Sequence, residues 1–274
     1  MTYQQFWRPL TTVYDQREAQ AVARLVVEEH FGLTLVDAFC GQPLPADEAL
    51  ALQQRLLQGE PVQYVLGWAE FCGRRYHVEP GVLIPRPETA EMCRLIASEL
   101  LTGSAPATIL DIGTGSGCIA ITLALQLPQA TVEGWDVSEQ ALAIARRNAQ
   151  QLNAPVSFSQ HDILSKTVDY RQWTLIVSNP PYISESERSK MERRVTDHEP
   201  RLALFVPDND PLLFYRAIGK YALQALCPGG QLIVEVNTRY AEATAKLLQD
   251  IGLTNVRIDN DQYGRQRFVK AQYL

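Results

Sequence analysis

The stretch Leu110-Asp111-Ile112-Gly113-Thr114-Gly115-Ser116-Gly117 decides the fold. It closes an apolar run, Thr108–Ile112, that reads as a strand, and it opens a run that reads as a helix. Glycines at a strand-to-helix turn permit a tight bend and let a ligand lie against the backbone. Their Gly-x-Gly-x-Gly spacing differs from the Gly-x-Gly-x-x-Gly of dinucleotide sites, so it suits a ligand without a pyrophosphate. Asp136 ends the next strand, 19 residues past Gly117 (136 − 117). A carboxylate there can accept both hydroxyls of a ribose. It can also cap the helix that starts near Ser138.

Outward from this unit the chain alternates strand and helix. Candidate strands are Thr131–Trp135, Val156–Ser159, Thr174–Ser178 and Gln231–Val236, with helices at Glu139–Gln151 and Tyr240–Asp250. Thr254–Ile258 and Arg267–Ala271 read as a final hairpin around Asp259–Gly264, which would place one antiparallel strand in an otherwise parallel sheet. After the third strand comes His161-Asp162-Ile163. Asp162 is placed to accept an adenine amino group, with Ile163 against the ring, or it is a surface turn residue. Gly113 to Gly117, Asp136 and Asp162 would then line the carboxyl ends of neighbouring strands, where open α/β sheets bind ligands. S-adenosylmethionine fits this set better than NAD does.

The fourth strand ends in Ser178-Asn179-Pro180-Pro181-Tyr182-Ile183. A simple strand stop is the plain reading of Pro-Pro, but here the pair follows the strand beside the glycine loop. Proline fixes φ and supplies no N–H, so this loop is rigid. A planar amino group, as in an amide or an adenine, is a weak nucleophile with two N–H donors. The Asn179 side-chain oxygen and the Pro180 carbonyl can accept one each and aim the nitrogen at a sulfonium methyl, with Tyr182 against the planar group. Alignment of this kind supplies several kcal/mol of barrier reduction. No strong base is needed, and no His or Glu abuts the motif in the chain.

Before the alternating region, residues 2 to about 60 carry helical spacing (Ala21, Val22, Leu25, Val26; Leu50, Leu56, Leu57) and end near Gly59-Glu60-Pro61. Pro61 to Pro87 reads as short strands and a turn around Phe71, Gly73 and Tyr76. The expected domains are thus a helical domain over 1–60, a β-hairpin linker over 61–87 and an α/β domain over 88–274.

The composition excludes much. Of 274 residues, 46% are hydrophobic and 20% charged, which rules out a mostly disordered chain. Net charge is −6, so the chain as a whole lacks the basic surface that grips nucleic acid; a local basic patch stays open, but no direct nucleic acid binding is expected. Five cysteines without a Cys-x-x-Cys and four scattered histidines predict no disulfide framework and no metal site. The start shows no signal peptide, and the apolar stretch Ile119–Leu127 is too short and polar to span a bilayer, so no membrane association and a cytoplasmic location are expected.

With these residues on the page, the chain resembles the family of peptide chain release factor N5-glutamine methyltransferases (PrmC/HemK) over nearly its whole length. The likeness lies in 59–67 (Gly-Glu-Pro-Val-Gln-Tyr-Val-Leu-Gly), Phe71-Cys72-Gly73, 82–89 (Val-Leu-Ile-Pro-Arg-Pro-Glu-Thr), Asp111 to Gly117, Asn179 to Ile183, 199–204 (Glu-Pro-Arg-Leu-Ala-Leu) and Gly264-Arg265-Gln266-Arg267-Phe268. Asn-Pro-Pro-Tyr is shared with DNA adenine-N6 methyltransferases, whereas Ile-Pro-Arg-Pro-Glu-Thr looks like the release-factor enzymes. The resemblance implies a class I S-adenosylmethionine-dependent methyltransferase (Rossmann-like) domain, with a small N-terminal helical domain for substrate recognition. It implies N5-methylation of the glutamine in the Gly-Gly-Gln motif of class I release factors, with S-adenosylhomocysteine as the other product. By position, Asp111, Gly113, Thr114, Gly115, Ser116, Gly117, Asp136, Asp162, Ile163 and Asn179 would bind the cofactor. Asn179, Pro180, Pro181 and Tyr182 would hold the substrate, with Asn179, Pro180 and Tyr182 catalytic. The chain departs from the family at Ile163, often aromatic, at Ala90, at Pro211, and at Asn237 and Tyr240 in a Glu-x-Gly-x-x-Gln segment.

Other classes fit less well. An adenine methyltransferase of nucleic acid lacks here a basic face and a reading domain. A binding protein that has lost catalysis would show damage in Asp111–Gly117 or Asn179–Tyr182, and both are intact. A glutamine methyltransferase of a ribosomal protein is set aside only by Pro85–Thr89. The basic residues Arg188, Lys190, Arg193, Arg194 and Arg201 are interleaved with Glu185, Glu187, Glu192, Asp197 and Glu199. That segment, 185–201, reads as a solvated, salt-bridged surface, or else as a mobile flap over the substrate.

Overall fold

The structure, a computed structural model, describes residues 1–100, 106–165 and 173–274. These divide into two compact units. One is Met1–Trp68 with Val78–Pro80 and Met191–His198; the other is Ala69–His77, Gly81–Lys190 and Glu199–Leu274.

The first unit is helical: α1 (Tyr3–Trp7), α2 (Gln16–Glu29), α3 (Leu35–Phe39), α4 (Ala46–Leu57) and α5 (Val62–Leu66). Side chains of Thr2, Asp15 and Thr34 accept the free N–H groups that open α1, α2 and α3. The faces of α1, α2 and α4 bury Phe6, Val26 and Leu56 in one cluster. Helix α5 is a departure from the sequence reading, which ends the helical part near Pro61. Pro61 leads into it and Gly67 ends it in the left-handed region (φ 77°). Arg55 holds it by donating to the carbonyls of Tyr64 and Val65 and to the Glu60 carboxylate. Later in the chain, α9 (Arg193–His198) belongs to this unit, with Arg194 on Glu18 at 2.6 Å and over the Tyr14 ring.

The second unit is built on an open, mostly parallel α/β sheet. Its elements are the hairpin β1 (Trp68–Phe71) and β2 (Arg74–His77), then α6 (Pro87–Leu100), β3 (Thr108–Ile112), α7 (Cys118–Gln126), β4 (Thr131–Asp136), α8 (Glu139–Leu152), β5 (Val156–Gln160) and β6 (Trp173–Ser178). Then follow β7 (Ile183–Ser184), α10 (Arg201–Leu204), β8 (Phe205–Val206), α11 (Leu213–Ala225), β9 (Leu226–Glu235), α12 (Ala241–Ile251), β10 (Thr254–Asn260) and β11 (Gln266–Gln272). The seven-stranded sheet runs β10-β11-β9-β6-β3-β4-β5. Only β11 is antiparallel, pairing so with β9 and β10, as the hairpin pattern predicts.

Alternate residues of the central strands bury on opposite faces. Ile109, Leu175, Val177, Ile233 and Phe268 meet Met92, Ile96 and Ile119 of α6 and α7. Leu110, Ile176, Leu232, Val234 and Val269 meet Tyr215, Ile218 and Leu248 of α11 and α12. A sheet covered on both faces explains why these strands read as unbroken apolar runs. Each such side chain contributes about 1.5–3 kcal/mol on burial. The chain steps from β3 outward to β4 and β5, then returns to β6 on the other side of β3. That reversal leaves a crevice at the carboxyl ends of β3 and β6.

Candidate active site

Three strand ends build the floor of a cavity of about 240 Å³, room for a small organic molecule. After β3 the chain folds over the end of β4: the N–H groups of Gly113 and Thr114 both donate to the Trp135 carbonyl at 2.8 Å. Gly115 N–H donates to Asp136 Oδ2 at 2.9 Å. Gly113 and Gly115 have φ of 73° and 56°, and a Cβ on either would point into open space. Both line the cavity, so a ligand can lie along their backbone. Gly117 is glycine for another reason. A Cβ there would sit 2.9 Å from Ile121 Cδ1 and 3.1 Å from Ala145 Cβ, so its lack of a side chain lets α7 and α8 approach.

Asp111 stands behind the loop, fully buried. Its Oδ2 accepts from Thr114 Oγ1 at 2.7 Å and from Ala120 N–H at 3.2 Å, while Oδ1 has no hydrogen-bond partner among the described residues. No ion pair neutralises it among the described residues, and burial pushes its carboxyl up to about 7. Asp136 lines the cavity. Burial raises its pKa, against the pull of the Ser138, Gly115 and Val137 N–H groups. The cap of α8 is Ser138 itself, whose side chain accepts from Ala141 N–H, so Asp136 is not the cap. Asp162 and Ile163 also line the cavity. The Asp162 carboxylate is held in a turn by Leu164 N–H and Ser165 Oγ, and Ile163 packs against the core.

The Asn-Pro-Pro-Tyr loop forms the facing wall. Ser178 Oγ donates to the Ile112 carbonyl at 2.6 Å, which ties the end of β6 to the root of the glycine loop. Beyond the loop, β7 pairs with β8. Asn179, Pro180 and Pro181 line the cavity. Tyr182 does not: it is turned back, with its ring against the core and its hydroxyl on Glu235 Oε1 at 3.2 Å. Burial and the neighbouring Glu235 charge raise its pKa. Asp111 and Gly117 likewise stand outside the lining.

Two acids escape the sequence reading. Glu235 abuts the motif in space though no acid abuts it in the chain; it is 1% exposed at the end of β9. Burial raises its carboxyl, opposed by the Thr89 and Tyr182 hydroxyls and the Arg267 charge. Glu199 is not part of a solvated surface, as its charged neighbours suggest; it is 4% exposed. Its Oε2 accepts the Ile84 N–H at 3.0 Å and its Oε1 accepts from Arg86 at 2.5 Å, so it clamps the Ile84–Pro87 loop that roofs the cavity. The rest of that segment is salt-bridged as expected, with Arg193 on Asp197 and Arg201 on Glu185. Glu199→Ala strands a buried N–H and a half-buried guanidinium. It is expected to lose about 2–4 kcal/mol of stability in urea titration, and a loss under about 0.5 kcal/mol would mean that the clamp is not formed.

Among the described residues, no group of acids, cysteines and histidines is arranged to hold a metal ion, and no helix is long and apolar enough to cross a membrane.

The comparisons with known proteins agree with this geometry. The family described as "Methyltransferase small domain" matches residues 91–199. A release factor glutamine methyltransferase of Bacteroides thetaiotaomicron is 44% identical over 268 residues, covering 96% of this chain and 95% of that protein. One from Flavobacterium psychrophilum is 38% identical over 276 residues, covering 98% and 97%. Among solved structures, the Thermus thermophilus 16S rRNA N2 G1207 methyltransferase, in complex with AdoMet and guanosine, superposes with a TM-score of 0.56. It is 17% identical, over 76% of this chain and 50% of that one, and shows the fold alone. Identity of this order, over nearly the whole length of both chains, means that the chain belongs to the family of release factor glutamine methyltransferases.

Proposed function

We propose that the protein methylates the side-chain amide nitrogen (N5) of the glutamine in the Gly-Gly-Gln motif of class I release factors, with S-adenosylmethionine as methyl donor. The single observation that carries this reading is Asn179, whose side-chain nitrogen is turned onto Thr89 Oγ1 at 2.9 Å, leaving its oxygen for the cavity.

The residues present suit the donor. The open backbone at Gly113 and Gly115 admits a ligand edge, Asp136 can take ribose hydroxyls, and Asp162 with Ile163 borders the place for a base. The uncompensated Asp111 carboxylate favours a cation nearby, and this ligand carries a sulfonium and an ammonium. When bound, S-adenosylmethionine supplies an electrophilic methyl group and leaves as S-adenosylhomocysteine. The chain's own part is alignment. Asn179 Oδ1 and the Pro180 carbonyl accept the two amide N–H groups, restrain the nitrogen and favour the positive charge that grows on it. In that arrangement the amide nitrogen would take the methyl carbon as the carbon–sulfur bond of the donor breaks, and the surplus proton would leave to water. Tyr182, seated on Glu235, backs the loop from behind. The helical residues 1–60 are proposed to recognise the protein substrate, the segment 61–87, which carries α5 and the β1–β2 hairpin, to link the two parts, and the enzyme to work in the cytoplasm.

The test is competition for labelled methyl groups among a class I release factor, ribosomal protein and adenine-containing duplex DNA. Label on the release factor alone is expected. Label on either rival would overturn the substrate assignment and leave the fold untouched.

A further inference from the structure

Asn179 can accept from a substrate amide only if its oxygen faces the cavity. The two ends of a carboxamide are nearly alike in shape, so hydrogen bonding decides which way it points. Behind Asn179 lies a chain of groups that decides it. Each oxygen of the buried Glu235 receives a hydroxyl: Oε2 from Thr89 Oγ1 at 2.6 Å, and Oε1 from Tyr182 at 3.2 Å. With its only proton committed to Glu235, the Thr89 oxygen offers lone pairs alone. It therefore takes the N–H of Asn179 Nδ2, at 2.9 Å, and Oδ1 is the end left for the substrate.

We propose that Glu235, acting through Thr89, is a positioning residue that sets the polarity of the Asn179 carboxamide. The inference rests on the methyl-transfer reading above and adds what orients its acceptor. Glu235 does not line the cavity, so it touches no reacting atom. Its place in the chain explains two segments that the glycine loop and the Asn-Pro-Pro-Tyr motif leave unused. Thr89 closes Ile-Pro-Arg-Pro-Glu-Thr, and Glu235 opens Glu-Val-Asn-Thr-Arg-Tyr. They lie 146 residues apart and meet directly beneath Asn179. A carboxylate serves here because it only accepts. Were a donor to stand in its place against Thr89, the hydroxyl would turn round, donate to Asn179, and present the Asn179 N–H groups to a substrate that itself brings only donors.

The test compares Thr89→Val, which removes the hydroxyl, with Thr89→Ser, which keeps it. The readouts are kcat and KM for the release factor, and the Kd of S-adenosylhomocysteine. Thr89→Val is expected to lower kcat at least tenfold, with the Kd held within about threefold. Thr89→Ser is expected to return kcat to within about threefold of wild type. Glu235→Gln keeps the shape but gives one oxygen for two hydroxyls, and is expected to lower kcat at least about threefold at unchanged Kd. It also serves as the probe if the valine variant fails to fold. Wild-type kcat in both Thr89→Val and Glu235→Gln would overturn the proposal, and so would equal loss in Thr89→Val and Thr89→Ser. If wild-type enzyme run alongside fails to methylate the release factor, the methyl-transfer reading itself falls.

Discussion

Replacing Asn179 with alanine is expected to lower methyl transfer at least tenfold while S-adenosylmethionine affinity stays within about tenfold, or ~1.4 kcal/mol. The two effects separate because Asn179 lines the cavity where the proposed donor and acceptor would meet. Most of the proposed donor site lies elsewhere, along Gly113, Gly115, Asp136 and Asp162. Removing the carboxamide leaves those contacts in place and takes away one of the two acceptors proposed to hold the amide nitrogen. A contact that is made in full only as charge grows on nitrogen lowers kcat rather than raising KM. Loss of a single such positioned group in other enzymes costs about 10²–10³ in kcat. Near-normal turnover by Asn179→Ala would remove the residue from the mechanism.

Asp111→Asn is expected to stabilise the empty enzyme and weaken the donor complex. The wild-type carboxyl is buried, has one oxygen without a hydrogen bond, and holds its proton up to about 7. Unfolded, it would titrate near pH ~3.9. The folded state therefore binds more protons than the unfolded state between these values. Stability is full below the unfolded pKa and falls as pH rises through the folded one. At pH ~8 the penalty removed by asparagine is about 1–3 kcal/mol, short of the ~4 kcal/mol limit because an asparagine amide there also lacks a partner. The urea midpoint of the variant should thus exceed that of wild type at pH ~8, and its decline between pH ~4 and ~7 should flatten. A cationic donor favours the ionised carboxylate, so binding by wild type should release protons below pH ~7 and tighten as pH rises. The variant should bind the donor more weakly and lose this pH dependence. Equal stability curves for the two proteins would mean that the carboxyl is ionised at no cost, and the electrostatic account of the donor site would fail.

The parts of this molecule that depend on local chemistry are legible in its sequence. Apolar runs bounded by turns predict β3, β4, β5 and β6 to within a residue or so. The Asp259–Gly264 turn between two strand patterns predicts the antiparallel β11. Helix α5 is not legible, because five residues with two β-branched valines and a leading proline carry little helical signal. Strand β9 starts at Leu226 rather than Gln231. Pro228-Gly229-Gly230 carries no strand pattern, and the ladder absorbs it as an irregularity opposite Trp173 to Leu175. At the site, glycine spacing and the Pro-Pro loop mark the two walls, since each is a short segment with its own backbone demands. Glu199 and Glu235 escape, because a buried acid looks in sequence like any exposed one. Their partners are remote: Glu199 lies 115 residues from Ile84, and Glu235 lies 146 from Thr89. Only the fold, which brings residues 84–86 to Glu199 and the start of α6 to the end of β9, makes them neighbours.

The most direct test of the central claim is peptide mass mapping of a class I release factor after incubation with this enzyme and S-adenosylmethionine. The peptide that carries Gly-Gly-Gln should gain one methyl group, located by fragmentation on the glutamine side chain, and a factor with that glutamine replaced should gain none. A methyl group on any other residue, or one that persists after the replacement, would contradict the account.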